Sequence, residues 1–198
     1  MTFDAKMTKV EDFSLLSYLA ADLRRSRVVL HGTSDGVSGL RLWLGALSPR
    51  FLPVLLCRLA HGLYQLKLGP VAKVVSMLNF FLFGIEIAVR CPIGKGLFLP
   101  HTQGTVIGAW SIGENVTIFQ GVTLGAKEVD FSYLESSRPT VEDGVTIGSG
   151  AKVLGGLTLG SGSRVGANSV VLRDVAPGLL VVGIPAKSVD RKPSDHAA

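Results

Sequence analysis

Apolar residues return at an interval of six over almost half of the chain. In the C-terminal block they are Val141, Ile147, Val153, Leu159, Val165 and Val171, without a slip. Upstream, Val106, Ile112, Ile118 and Leu124 keep the same interval, and Ile87, Ile93 and Leu99 precede them with one extra residue before Val106. Gly often follows the aliphatic residue, as in IGKGLF, IGENVT, IGSGAK and VGANSV, and the fifth hexad position is often small or aliphatic. A period of six fits neither a helix at about 3.6 nor an alternating strand at two. It predicts a parallel β-helix: a triangular coil of three short flat faces, each sending an aliphatic residue inward, with Gly easing the corners. About thirteen hexads make a little over four coils, a prism roughly 20 Å tall at about 4.8 Å per coil.

Before the repeat the spacing changes. SLLSYLAADLRR and FLPVLLCRLAHGLYQL place apolar residues at i, i+3 and i+4, and Gly69-Pro70 separates the second from VAKVVSMLNFFLF. These predict helices that cap one end of the solenoid, whose open coils need covering. Gly is sparse up to Phe83 and frequent from Gly84. The expected organisation is therefore mainly β: an α-helical segment over 1–83, a β-helix over 84–187 and a flexible tail over 188–198, the last ending in KPSDHAA. One interruption, AKEVDFSYLESSRPT after Gly125, is expected to leave the coil as a loop, and loops on rigid scaffolds often carry function.

Composition narrows the partners. The net charge is +5, with no Lys/Arg run longer than Arg24-Arg25, a diffuse balance that argues for no nucleic acid and suits a polyphosphate ligand such as coenzyme A equally well. Mean hydropathy is high at +0.41. The most apolar stretch, Val71 to Val89, is nevertheless broken by Lys73, Asn79 and Glu86, and predicts a buried or interfacial helix rather than a membrane span, with peripheral membrane contact left open. Met1 to Phe13 is rich in charge and has no apolar core, so a secretory signal is not expected and a cytoplasmic location follows, with the inner membrane face as the alternative. Cys57 and Cys91 have no metal-ligand or redox spacing and are expected to be inert core residues; no metal site is expected.

Four histidines bound the search for chemistry. His196 is in the tail, His31 follows the apolar VVL at an expected helix end, and His61 lies on an amphipathic helix where packing is its common role. Only His101 lies within the repeat, at the hexad with the extra residue. Transfer of an acyl group to an alcohol requires the hydroxyl to lose its proton during attack, and a neutral imidazole is matched to that near pH 7. On the residues alone, His101 as general base and His101 as a structural corner residue stand equal.

The segment GIEIAVRCPIGKGLFLPHTQGTVIGAWSIGENVTIFQGVTLGA, with VTIGSGAKVLGGLTLGSGSRVGANSVVL and VVGIPAK, resembles the serine acetyltransferase branch of the hexapeptide-repeat acyltransferases, over roughly 40–187. The resemblance implies a left-handed coil, a homotrimer or a dimer of trimers, and acetyl-CoA lying in the groove between neighbouring prisms. It also implies roles. His101 matches the general base, and Glu86 matches the acidic partner that orients the imidazole, where the serine enzymes usually carry Asp. Gly125, Ala126, Ser149, Ala151 and Ala167 match the positions along the pantetheine arm, and Lys187 lies toward the nucleotide end. In the loop, Arg138 is the candidate for an acceptor carboxylate, and Asp35 matches an amino-group ligand by ungapped alignment.

Two departures bear on the acceptor. The serine enzymes carry Asp before the base and an Arg-His pair in the loop; this chain has Pro100 and Ser137-Arg138. An unpaired ammonium or carboxylate in a closed site costs on the order of 1–3 kcal/mol. Two acceptors therefore stand side by side, the hydroxyl of L-serine and a sugar hydroxyl of the kind modified in surface polysaccharides. A non-catalytic β-helix scaffold is the third reading.

Overall fold

The computed structural model describes residues 14–32 and 45–189. Asp35, His196 and the charged start of the chain lie outside the described residues. Among the described residues, three α-helices lead the fold: α1 (Leu15–His31), α2 (Leu52–Gln65) and α3 (Gly69–Phe83). α1 ends where Gly32 turns left-handed at φ 76°, its N–H returning to Val28 O. Pro53 and Pro70 sit in the first turns of α2 and α3, where a missing N–H costs nothing. Gly84, at φ 64°, closes α3, and strand β1 (Ile85–Ile87) follows at once.

The remaining strands are β2 (Thr105–Ile107), β3 (Ser111–Ile112), β4 (Thr117–Ile118), β5 (Thr123–Gly125), β6 (Thr140–Val141), β7 (Thr146–Ile147), β8 (Lys152–Leu154), β9 (Thr158–Leu159), β10 (Arg164–Val165), β11 (Val170–Val171), β12 (Leu180–Gly183) and β13 (Ala186–Val189). They form three faces. One stacks β1-β2-β5-β8-β11, the second β4-β7-β10-β12-β13 and the third β3-β6-β9, all in parallel register except the terminal β12–β13 hairpin. β13 runs to Val189, past the expected end of the β-helix at Lys187, because it pairs back on β12 from Ala186 to Val189.

Each face sends two residues inward, the aliphatic one and the residue two before it. Val145 and Ile147, Ala151 and Val153, and Leu157 and Leu159 are such pairs, all buried. The inward set forms one continuous core through the prism and into the helices. Each fully buried aliphatic side chain stabilises the fold by about 1.5–3 kcal/mol relative to exposure.

The register at the second coil corrects the sequence reading. Ile107, not Val106, points inward: Ile107 pairs with Leu124 and Ile87 and is 1% exposed, whereas Val106 faces solvent at 37%. The corner holding His101 is thus two residues longer than a hexad, and the next corner is one residue shorter. Ala109, wholly buried, fills that tight corner.

The helices are fastened to the first coil by a buried ion pair. Asp22 and Arg58 meet side by side, Nε to Oδ2 at 2.8 Å and Nη2 to Oδ1 at 3.0 Å. Arg58 also donates to the carbonyls of Ile93 and Gly94, while Asp22 Oδ1 accepts the N–H groups of Gly96 and Leu97. Asn79 of α3 donates to Pro53 O at 3.0 Å, holding the helix pair together.

His61 packs beside this joint, its Nδ1 3.0 Å from Val89 O. Burial lowers its pKa below the ordinary 6.5, and the Arg58 charge adds to that, against the opposing hydrogen bond to Val89. The folded state therefore binds fewer protons than the unfolded chain. Its contribution is complete above about pH 6.5 and is lost as pH falls toward the folded-state pKa. Thermal melts from pH 7 to pH 5 are expected to show a fall in Tm that is shallower in His61→Asn; equal slopes would contradict this.

Candidate active site

The corner between the β4 face and the β1 face is built the same way at each level. Gly104, Gly121, Gly150 and Asn168 take the left-handed conformation at φ 72°, 71°, 73° and 56°. Gly121 N–H donates to Gln103 O, Gly150 N–H to Gln120 O and Asn168 N–H to Ser149 O, so the corners stack into one straight edge. At Gly150 the left-handed φ of 73° disfavours a side chain, and a Cβ there would have to displace Asn168 Oδ1.

His101 stands at the first level of this edge. The lengthened corner is anchored by Thr102 Oγ1 to Phe83 O at 2.8 Å and by Gly104 N–H to Gly84 O at 2.9 Å. Its imidazole is exposed, and no hydrogen bond to it is formed among the described residues. Ser149 and Ala167 lie on the same edge two and three coils away, about 10 and 14 Å along the stack. A candidate base and two of the small residues thus share one line, a geometry suited to a long, thin ligand ending at His101.

The other candidates are distributed as follows. Glu86 is the outward residue at the centre of β1, paired in register with Val106, and it opens onto a groove of about 410 Å³ with Lys73, Ser76, Met77 and Phe80 of α3. No hydrogen bond joins it to His101 among the described residues. Gly125 ends β5 on the β1 face, with open space where a Cβ would stand, and Ala126 beside it is half-buried. Lys187 is exposed on β13, across from Val182. Ala151 is wholly buried, its N–H donates to Gly148 O and its carbonyl accepts Thr123 N–H. It belongs to the core because it is the inward residue two before Val153.

Arg138 is drawn into its own loop. Its Nε donates to Asp130 Oδ2 at 2.9 Å, Nη1 to Gly108 O at 2.8 Å and Nη2 to Asp130 O at 3.1 Å, and the guanidinium lies 4.1 Å over the Tyr133 ring. Asp130 also accepts the N–H groups of Ser132, Tyr133 and Leu134. Burial opposes ionisation of Asp130, but the Leu134 N–H and Arg138 outweigh it and hold the carboxyl below its usual range. Tyr133 completes the clasp by donating to Ala109 O at 2.6 Å. The sequence reading missed Asp130 and Tyr133; an Asp two residues before Ser, and eight before Arg138, was the available signal of a side-chain-capped turn.

Cys57 and Cys91 are both buried, and burial pushes the Cys57 thiol up to about 11 and the Cys91 thiol higher, so neither supplies a thiolate near neutral pH. Among the described residues, no group of His, Cys, Asp and Glu is placed to hold a metal ion.

Residues 138–173 match the family model described as bacterial transferase hexapeptide, six repeats. A serine acetyltransferase of Synechococcus elongatus is 38% identical over 185 residues, 90% of this chain and 72% of the relative. One from Helicobacter pylori is 43% identical over 139 residues, 69% of this chain and 80% of the relative. Among solved structures, the Neisseria gonorrhoeae serine acetyltransferase superposes with a TM-score of 0.77 at 31% identity, covering 89% of this chain and 65% of that one. A serine acetyltransferase in complex with CoA gives a TM-score of 0.74 at 30% identity, with 89% of this chain and 70% of that chain covered. The coil is accordingly a left-handed β-helix. This chain belongs to the serine acetyltransferase family of hexapeptide-repeat transferases.

Proposed function

We propose that the chain is an acetyl-CoA-dependent O-acetyltransferase whose acceptor is L-serine, with His101 as general base. The observation that carries the reading is the exposed imidazole of His101, which makes no hydrogen bond among the described residues, at the end of an edge of small residues, in a family whose solved members include a complex with CoA. Acetyl-CoA would lie along that edge, past Ala167 and Ser149, with Gly125 and Ala126 on the adjoining face and Lys187 toward the nucleotide.

The step is a direct displacement. His101 takes the proton of the acceptor hydroxyl as its oxygen attacks the thioester carbon. The oxyanion collapses, the C–S bond breaks, and the imidazolium returns the proton to the departing thiolate, leaving O-acetylserine and the free thiol of CoA. Backbone N–H groups on the adjacent coil would stabilise the oxyanion. Glu86, the outward residue at the centre of β1, would act through the imidazole by biasing its tautomer.

One observation favours a second acceptor. The three hydrogen bonds of Arg138 go to Asp130 and Gly108, and Pro100 precedes the base, so neither presents a free charge to an amino acid. A sugar hydroxyl needs no such charge. Thiol release from acetyl-CoA, measured with L-serine and with a panel of nucleotide sugars and oligosaccharides, separates the two. Serine turnover exceeding that of every sugar supports the first reading, and the reverse order supports the second.

A homotrimer, alone or doubled, accords with the long outer faces of the prism. The apolar face of α3 adds a surface to be covered: Phe81 is 72% and Leu82 64% exposed. We assign it to contact with another copy or with a membrane surface. No described helix is long and apolar enough to cross a membrane.

A further inference from the structure

A second concentration of polar chemistry lies away from the β-helix. The C-terminal half of α1 and the turn entering α2 enclose a cavity of about 260 Å³. Ser26, Arg27, His31, Ser48 and Arg50 form its polar wall, and Leu23 and Phe51 close its apolar side.

Among the described residues no acid lines this cavity. Asp22 is the only acid of α1, α2 has none, and the Asp22 carboxylate is occupied by Arg58 and two backbone N–H groups. Among the described residues neither Arg27 nor Arg50 forms an ion pair. Moreover, Arg27 Nε is shut off from solvent and has no hydrogen-bond partner among the described residues. A buried donor in that state costs free energy until an acceptor reaches it. Two guanidinium groups and two hydroxyls around a cavity of this size suit a tetrahedral oxyanion, which Arg engages through paired N–H groups. The apolar side leaves room for the carbon group that such an anion carries.

We propose that this cavity binds a phosphate monoester, at a site separate from that of acetyl transfer. Leu23 adjoins Asp22, so a ligand here stiffens the joint through which the helices hold the first coil. The phosphate has two possible sources, a soluble ester or the headgroup of a phosphatidic lipid.

The full chain is titrated at constant ionic strength with glycerol 3-phosphate, and separately with phosphatidylcholine vesicles with and without phosphatidic acid. A saturable rise in Tm with the soluble ester, weakened about tenfold or more in R27Q/R50Q while kcat/KM for acetyl transfer holds, supports the site with a soluble ligand. Capture on phosphatidic acid vesicles alone, abolished by the same variant, supports it with a headgroup. Binding of neither probe overturns the proposal, as does binding that R27Q/R50Q retains. Should the double variant fail to fold, Arg50→Gln at its exposed position is read in the same way, with a smaller loss expected.

Discussion

His101→Ala is expected to lower kcat/KM for acetyl transfer by about 10²–10⁴-fold, the contribution of a positioned general base. Because the imidazole is exposed and makes no hydrogen bond among the described residues, the fold should not register its loss. Tm within about 1 °C of the parent, together with that loss of rate, is the expected pair of results. Activity held near the parent level would return His101 to the role of a corner residue. Glu86→Gln should cost less, because the carboxylate acts on the acceptor only through the imidazole; its effect belongs in kcat and in the acid limb of the pH profile rather than in Tm.

Asp22→Ala is expected to be the most damaging single change to stability. It leaves the Arg58 guanidinium, 1% exposed, without its counter-charge, and removes the acceptor for the N–H groups of Gly96 and Leu97. Breaking one side of a buried pair costs about 3–5 kcal/mol. For a chain of this size that corresponds to a fall in Tm of roughly 6–20 °C. The double variant Asp22→Leu with Arg58→Met should recover part of the loss, since an apolar pair leaves no charge stranded in the core. Calorimetry that finds Asp22→Ala and the parent alike would mean that the helices do not depend on this joint.

The pair was not legible in the sequence. Asp22 and Arg58 are 36 residues apart and the N–H groups they serve are further still, so no local period connects them. The coil, by contrast, was legible because every hexad repeats the same inward choice, and a pattern written many times survives one irregular corner. At that corner the pattern failed by one residue: Val106 and Ile107 are both β-branched and aliphatic, and only the pairing of Ile107 with Leu124 decides which is inside. Ala151 is ambiguous for a related reason. A small residue next to a corner glycine suits a ligand groove and a tight core equally, and the structure puts its side chain in the core. Arg138 was found as the cation of the loop, but its partner Asp130 belongs to the loop's own turn geometry, which has no repeat to reveal it. The edge that joins His101, Ser149 and Ala167 arises from stacking, and spacing alone does not show that they share it.

The most direct test of the account is the product formed when the purified chain is mixed with acetyl-CoA and L-serine. Mass spectrometry should find O-acetylserine accumulating in step with free CoA thiol, in the parent and not in His101→Ala. Thiol release with no acetylated serine, or O-acetylserine formed equally by both proteins, would contradict the assignment of L-serine as acceptor in the first case and of His101 as the base in the second.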